Sequence, residues 1–302
     1  MIFKRNRRRP ARSVIFLGLL CGAALLAVVS FLMSAPDASA TVWVKPAPKR
    51  LLVVTVTKGF RHGDSITVSE KVLADIGQQS GAFTVDYVRT DEEMAQKMTR
   101  EALKGYDGVI FSNTTGELPL PDPEGFLQWL KEGHAFVGMH AASDTFHKWQ
   151  PYLDMVGGQF QTHGRQVKVT CLVQDRKHPA TKKLGASFEV FDEIYQFKDF
   201  DRSRSRALLD LNQHPNDKTP GYYPVAWCHN YGKGKVFYTS LGHRVDVWNA
   251  PWYQEHILGG IKWTLGQEKG DAKPQYKPTA AEVAARAAAA ATLESKKTTN
   301  GN

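Results

Sequence analysis

The sequence predicts an α/β protein: a three-layer sandwich with a mostly parallel sheet and added antiparallel strands. Two observations lead to this prediction. Between residues 51 and 139, strand-like apolar runs alternate with helix-length segments, as in right-handed βαβ units. Beyond Trp149, shorter segments alternate polar with apolar residues, which indicates half-exposed strands.

The parallel part of the sheet is predicted from four strands, each of which is followed by a helical or turn-forming segment. The strands are expected over residues 51–56, 83–88, 108–112 and 135–139. The first helix is expected to begin with Asp64 or Ser65 as its N-cap residue. Two further helices are expected over 91–104 and 121–132.

The second half is predicted to be richer in strands. A short helix is expected over 149–156, and a loop over 157–164. The remaining elements are strands 166–173, 188–195 and 207–211, a hairpin of 225–229 with 235–240, and a helix over 252–265.

The ends of the chain differ from its middle in composition, so the predicted domains are 1–40, 48–266 and 267–302. Six basic residues precede an uncharged apolar run over 14–33, and Ala38-Ser-Ala40 fits a signal-cleavage site. Residues 1–40 are therefore expected to be a signal peptide or an N-terminal membrane anchor. Both alternatives place the domain outside the cytoplasm. A cleaved domain is expected to be periplasmic or extracellular, and an uncleaved one to be anchored to the inner membrane by residues 14–33. Residues 267–302 are expected to be an Ala-rich, disordered tail.

The charge balance argues against a nucleic-acid partner. The chain has 39 basic and 30 acidic residues, and 33 and 29 of them lie beyond residue 40. This excess of four is spread along the chain rather than clustered as a basic patch. In an oxidising compartment Cys171 and Cys228 could pair, or each could be a small buried apolar residue, which we favour.

The site is expected to lie around residues 136–147. A buried strand ends at Met139, and His140 follows between Gly138 and Ala141, small residues like those that flank the nucleophile in a strand–elbow–helix turn. Such a turn delivers its side chain to the crevice at the carboxyl edge of a parallel sheet. The elbow position carries an imidazole, so a serine or cysteine that could act as a covalent nucleophile is missing from this position.

Other histidines and carboxylates lie in loops or next to the ends of predicted strands. Imidazole and carboxylate groups together suit acid–base chemistry near neutral pH, or the binding of zinc and similar ions. The expected catalytic residues are His140, His243, Asp144 and Glu193. The expected substrate-binding residues are His62, Arg61, His147, His163, Tyr195 and Trp227. If a divalent metal such as zinc is bound, its candidate ligands are His62, His140, His163 and His243.

The roles of Arg61, Tyr195 and Trp227 follow from their chemistry. Arg61 offers fork-shaped donors beside a helix N-terminus, and the aromatic faces of Tyr195 and Trp227 suit sugar rings. The candidate residues also have structural alternatives. Arg61 could only pair with an acidic residue on the surface, a loop histidine often binds only a backbone carbonyl, and most aromatic residues belong to the core.

Several motifs in this order resemble the ThuA-like (trehalose utilisation) family. They are Gly59-Phe-Arg-His62, Gly138-Met-His-Ala-Ala-Ser-Asp-Thr-Phe146, Gly157-Gly-Gln-Phe160 with His163, Asp192-Glu-Ile-Tyr195, Pro224-Val-Ala-Trp227, Gly232-Lys-Gly234 and Gly242-His243. The resemblance implies a class I glutamine amidotransferase-like fold, which is a flavodoxin-like sandwich. His140 then stands where an amidotransferase has its cysteine nucleophile, and His243 where it has its catalytic histidine. We therefore do not expect a glutamine amidotransferase.

The family resemblance also implies metabolism of trehalose and related disaccharides, through 3-keto sugars. Our leading hypothesis is an exported hydrolase or lyase that acts on a disaccharide or 3-keto sugar by histidine acid–base chemistry, with or without a metal. In this hypothesis Asp144 and Glu193 orient the two catalytic histidines or act themselves. The alternatives are a non-catalytic, membrane-tethered sugar-binding or scaffold module, and a metal-dependent hydrolase of another bond type. Expected partners are a small carbohydrate, the membrane if the N-terminal segment is uncleaved, and a second copy of the chain in a homo-oligomer.

Overall fold

Residues 47–276 are described in the computed structural model, and strands alternate with helices in their first half. This half contains β1 (Lys49–Val54), α1 (Gly63–Ser80), β2 (Phe83–Val88), α2 (Asp91–Lys97), α3 (Arg100–Leu103), β3 (Gly108–Ser112), α4 (Pro123–Lys131), β4 (Ala135–Met139), a 3-10 helix (His140–Asp144) and α5 (Gln150–Val156). The second half contains β5 (Gln159–His163), β6 (Val167–Val173), β7 (Ser187–Asp192), β8 (Tyr195–Lys198), β9 (Arg206–Gln213), β10 (Pro220–Tyr231), β11 (Gly234–Thr239), α6 (Val245–Asn249) and α7 (Pro251–Thr264).

A mixed sheet organises this part of the chain, in the strand order β2-β1-β3-β4-β11-β10-β9-β6-β7. The strands from β2 to β11 pair in parallel, and the remaining pairs are antiparallel. β5 and β8 form a separate two-stranded antiparallel sheet. The predicted α/β fold is therefore confirmed. Because β4 and β11 are parallel neighbours, the loops after Met139 and Thr239 leave the sheet at the same edge.

The core lies on both faces of the sheet, as the alternation of side chains along β1 shows. Leu51 and Val53 pack into one hydrophobic cluster, and Leu52 and Val54 pack into the other. Helices α1, α6 and α7 cover the first face, and α2, α3, α4 and α5 cover the second. These layers are the sandwich that the sequence predicts.

Four predictions about individual elements were wrong. The helix predicted over 91–104 is divided into α2 and α3, because the side chain of Thr99 accepts a hydrogen bond from the amide of Ala102 and begins a new helix. The N-cap residue of α1 is His62, which makes no side-chain capping bond. The predicted loop over 157–164 contains β5, which pairs with β8. The strand predicted over 188–195 is broken between β7 and β8.

Cys171 and Cys228 are free, and both are buried on their strands, as the favoured interpretation predicted. Among residues 47–276, no helix has both the length and the apolar character needed to cross a bilayer. The predicted signal or anchor segment and residues 277–302 of the predicted tail lie outside the described residues.

Candidate metal centre

His140 stands at the sharp turn that the sequence predicts after β4. Its φ of 47° is left-handed, a conformation that few residues other than glycine adopt, and its side chain is fully buried. The hydroxyl of Tyr238 donates to the His140 carbonyl oxygen at 2.6 Å. The His140 Nδ1 atom lies 2.7 Å from the carbonyl oxygen of Ser240, to which it donates. The neutral ring therefore carries its lone pair on Nε2.

His243 reaches the same point from the loop that follows β11. Its Nδ1 atom lies 3.2 Å from Nε2 of His140. The buried Asp192 carboxylate holds this loop, because it accepts hydrogen bonds from the amide of Gly242 at 2.8 Å and from the amide of Glu193 at 3.0 Å. One carboxylate thus fixes the backbone beside both His243 and Glu193.

The Glu193 carboxylate faces these two imidazoles with one oxygen and a third imidazole with the other. Its Oε2 atom lies 3.2 Å from Nδ1 of His243 and 3.5 Å from Nε2 of His140. Its Oε1 atom lies 3.2 Å from Nδ1 of His163. The Glu193 carboxylate therefore lies within 3.5 Å of nitrogen atoms of all three imidazoles.

His62 completes the group from the start of α1. Its ring centroid lies 4.8 Å from that of His140 and 5.2 Å from that of His243, in edge-to-face arrangements. Its Nδ1 atom is buried and has no hydrogen-bond partner. A buried nitrogen without a partner is costly, so this atom requires an explanation.

The electrostatics of the group leave the His62 ring neutral and the Glu193 carboxylate ionised, the states that metal ligands need. Burial, together with the charges of His140 and His243, lowers the pKa of His62 to about 3, so its ring is neutral at pH 7. Burial would raise the pKa of Glu193, but hydrogen bonds and charges from His140 and His243 outweigh it and leave the pKa below its usual range. Burial lowers the pKa of His243, whereas its hydrogen bond with Glu193 raises it, and the net shift is upward.

One ligand atom from each of His62, His140, Glu193 and His243 lies within 4.8 Å of the other three. Three imidazoles and a carboxylate suit zinc and related divalent ions. The residues present fit such an ion in two further respects. Nε2 of His140 carries a free lone pair because Nδ1 is engaged by a carbonyl, and Nδ1 of His62 has no other partner. We call these four residues the metal cluster.

The cluster differs from the predicted ligand set in one member. His62, His140 and His243 come together as predicted, but Glu193 takes the place expected for His163, which contacts Glu193 from outside. Position along the chain did not reveal this, since His163 and Glu193 both lie near strand ends.

Within residues 47–276, Asp144 forms no hydrogen bond or ion pair with His140 or His243, so no contact supports the first of its two predicted roles, orienting them. Its second predicted role, acting itself, stays a prediction. Its Oδ1 atom lies 2.7 Å from Nε2 of His147 instead. Burial raises the pKa of Asp144, and the charge and hydrogen bond of His147 offset part of this rise. Asp144 and His147 therefore form a separate pair beside the cluster.

The predicted aromatic substrate contacts are both buried. Tyr195 is 2% exposed, and its ring lies 4.4 Å from that of His140 and 4.3 Å from that of Phe160. Trp227 is fully buried, and its Nε1 donates to the carbonyl of Val156 at 2.8 Å. The prediction that they bind substrate was wrong, because both rings are packed against other side chains and have almost no exposed surface. The Tyr195 ring packs against the His140 ring instead.

A cavity of about 870 Å³ opens beside the metal cluster, and it is lined by His62, His243 and Arg61 among others. Arg61 therefore lies where a substrate-binding residue is expected. The sequence did not reveal the roles of Asp192 and the Ser240 carbonyl, although Asp192 belongs to the Asp192-Glu-Ile-Tyr195 motif.

The fold and the site define a flavodoxin-like α/β sandwich with a histidine–carboxylate cluster at the carboxyl edge of its sheet. The chain belongs to the ThuA family, described as trehalose utilisation, whose model matches residues 50–264. This membership gives the protein a carbohydrate-related role.

Solved structures agree with this fold. A ThuA-like protein from Bacteroides uniformis is 22% identical, with a TM-score of 0.61 over 78% of this chain and 97% of that one. Another from Parabacteroides merdae is 22% identical, with a TM-score of 0.62 over 77% and 95%. No curated protein sequence matches the chain.

Proposed function

We propose that this protein is a metal-assisted carbohydrate-active enzyme, a hydrolase or lyase of a disaccharide or of the 3-keto sugar derived from one. The observation that carries the proposal is the convergence of His62, His140, His243 and Glu193 at the carboxyl edge of the sheet. The substrate class rests on the family description, trehalose utilisation. The missing cysteine at the elbow argues against glutamine amidotransfer, since an imidazole cannot form the thioester.

A bound divalent cation would polarise a sugar carbonyl or lower the pKa of a bound water. The four residues of the metal cluster would hold it, with Ser240 fixing the His140 ring and Asp192 fixing the backbone beside Glu193 and His243. His163 supports the free oxygen of Glu193.

The Asp144–His147 pair is the proposed base. A 3-keto group makes the C–H bond at the neighbouring carbon acidic, so the base can remove that proton. The electron pair then forms a double bond to the anomeric carbon while the bond to the glycosidic oxygen breaks, and the leaving oxygen takes up a proton. The raised pKa of Asp144 suits a carboxylate that must accept a proton.

A metal-free reaction is the second candidate, and the 3.2 Å contact between His140 Nε2 and His243 Nδ1 favours it. Two imidazoles at this distance can act as an acid–base pair assisted by Glu193. The two candidates differ in the role of His140, which is a ligand in the first and a base in the second.

The test is turnover of trehalose and 3-keto-trehalose by the purified protein, followed by mass spectrometry before and after chelation. We expect a product from the 3-keto sugar that disappears with the chelator and returns with zinc or manganese. A product unaffected by chelation would favour the acid–base pair, and saturable binding without product would favour the non-catalytic sugar-binding module.

For any variant of a cluster histidine in this assay, the matched control is His134→Asn. The Nδ1 atom of His134 also bonds a carbonyl, that of Trp129, at 2.6 Å, but His134 lies outside the cluster. We expect this variant to turn over the sugar as the unmodified protein does.

We also propose that residues 1–40 export the domain, which fractionation of cells that express the full chain would test.

A further inference from the structure

A cavity of about 870 Å³ adjoins the metal cluster and shares His62 and His243 with it. We propose that this cavity binds the second sugar ring of a disaccharide, with the ring of Phe60 as its stacking surface. The inference rests on the proposed function, because it places the first ring at the cluster. The volume lies within the range of small-molecule sites and exceeds what a single polar group needs.

Two of the three large exposed apolar side chains of the described residues line this cavity. Phe60 is 69% exposed, Phe191 43% and Val245 41%, and these are the large exposed apolar residues between 47 and 276. Phe60 and Val245 line the cavity, and the guanidinium of Arg244, which also lines it, lies 4.8 Å from the Phe191 ring. Clustered exposed apolar groups mark binding sites more often than scattered ones do.

The exposure of Phe60 is imposed by its backbone. The Thr115 hydroxyl donates to the Phe60 carbonyl oxygen at 2.9 Å and accepts from the Gly59 amide at 3.2 Å. The Lys58 amide donates to the Thr115 carbonyl oxygen at 2.7 Å. The segment is thus tied to the loop after β3, and the Phe60 ring is held out from the core, 4.8 Å from the His62 ring.

The polar lining indicates a neutral ligand with many hydroxyl groups. Arg61 and Arg244 line the cavity together with Asp64 and Asp246, so the side-chain charges balance. An anion would meet two carboxylates, and a cation would meet two guanidinium groups. Within residues 47–276, the guanidinium of Arg61 forms no ion pair and makes only two hydrogen bonds, both of 3.4 Å, to the Thr55 carbonyl oxygen and the Thr57 hydroxyl.

A sugar ring satisfies both halves of this lining. Its C–H face packs on an aromatic ring, and its hydroxyl groups accept from guanidinium groups and donate to carboxylates. Phe60 supplies the aromatic surface, Arg61 supplies hydrogen-bond donors, and Asp64 supplies acceptors. The class of ligand is therefore a neutral disaccharide that spans the cluster and the cavity.

The experiment is calorimetric titration of trehalose, and separately of glucose, into the zinc-loaded full chain. We expect trehalose to bind more tightly than glucose, Phe60→Ala to weaken trehalose binding about tenfold, and Phe60→Trp to retain it. Tyr231→Ala removes a partly exposed aromatic ring at the opposite edge of the sheet and is the matched control. It should bind trehalose as the unmodified protein does.

Equal trehalose affinity in Phe60→Ala and the unmodified protein would overturn the inference, as would equal affinity for glucose and trehalose. Metal content measured on the same samples separates this result from the proposed function. A chain that binds no metal but needs Phe60 for trehalose would retain the sugar site and lose the proposed metal chemistry. A chain that binds metal, and whose affinity for trehalose is unchanged in Phe60→Ala, would retain the proposed metal chemistry and lose the sugar site.

Discussion

The Nδ1 atom of His140 donates to the carbonyl oxygen of Ser240 at 2.7 Å and so joins the loop after β4 to the end of β11. This bond fixes the orientation of the ring and leaves Nε2 free to face His243 and Glu193. Histidines that bind metals commonly engage a carbonyl or carboxylate through the other nitrogen in this way. The backbone of Ser240 therefore prepares His140 for a ligand role.

His140→Asn tests this role. Asparagine tolerates the left-handed backbone at this position, so the fold should remain, but it cannot present Nε2 to the cluster. We expect zinc affinity to fall at least about 100-fold and turnover to be lost, with an unchanged circular dichroism spectrum. A folded variant that keeps both the metal and the activity would refute the assignment.

Glu193→Gln tests the charge of the cluster. The amide has the shape of the carboxylate but carries no negative charge, so a cation held by three neutral imidazoles loses its charged ligand. We expect metal affinity to fall by about 10- to 100-fold, measured by competition with a chromophoric chelator. His163→Asn removes the contact to the outer oxygen of Glu193 but leaves all four cluster residues in place, so it should have a smaller effect. A larger loss in His163→Asn would restore His163 to the ligand set.

Asp192→Asn tests the support of the cluster without altering a ligand. The carboxylate of Asp192 accepts from the amides of Gly242 and Glu193, and an amide offers one weaker oxygen acceptor in its place. We expect roughly 10-fold weaker metal binding, together with a loss of about 1–3 kcal/mol in the free energy of unfolding. Metal affinity equal to that of the unmodified protein would show that Asp192 supports the fold alone.

The sequence predicted the parts of this structure that depend on short segments. The β-branched run at β1 and the charge-free run at β4 are typical of buried strands and fit few other structures. The small residues around His140 indicated the turn. The convergence of His140 and His243 followed from topology, because parallel neighbouring strands bring their ends to one edge.

The remaining errors share a physical cause, which is tertiary packing. Nothing in the sequence distinguishes Glu193 from His163 as a ligand, because the break between β7 and β8 decides which one faces the cluster. Tyr195 and Trp227 were expected to face substrate, yet aromatic type does not determine burial. The exposure of Phe60 depends on Thr115, which is 55 residues away along the chain.

Three buried histidines outside the cluster predict acid sensitivity. Burial lowers the pKa of His178, His229 and His256 to about 4 in the folded protein, below the unfolded value of about 6.5. The stability they contribute is therefore present above pH 6.5 and is lost as pH falls towards 4. Burial raises the pKa of Asp210 to about 6, and the pKa values of Asp144, Asp192 and His243 are also raised, so these four groups act in the opposite direction. The pKa of His62, lowered to about 3, acts in the same direction as the three histidines.

Urea unfolding at pH 7 and pH 5 measures this sensitivity. We expect a lower free energy of unfolding at pH 5, and His256→Asn should reduce the difference by roughly 2 kcal/mol, since each such histidine contributes about that much over this interval. An unchanged difference in His256→Asn would mean that its burial does not set its titration.

The central claim is that His62, His140, His243 and Glu193 bind one divalent cation. The most direct measurement is elemental analysis of the full chain after zinc reconstitution and dialysis, alongside His62→Ala. We predict one zinc per chain in the unmodified protein and substantially less in the variant, which lacks the His62 imidazole whose buried Nδ1 has no hydrogen-bond partner in the folded chain. No retained zinc in the unmodified protein, or full retention in His62→Ala, would contradict the claim.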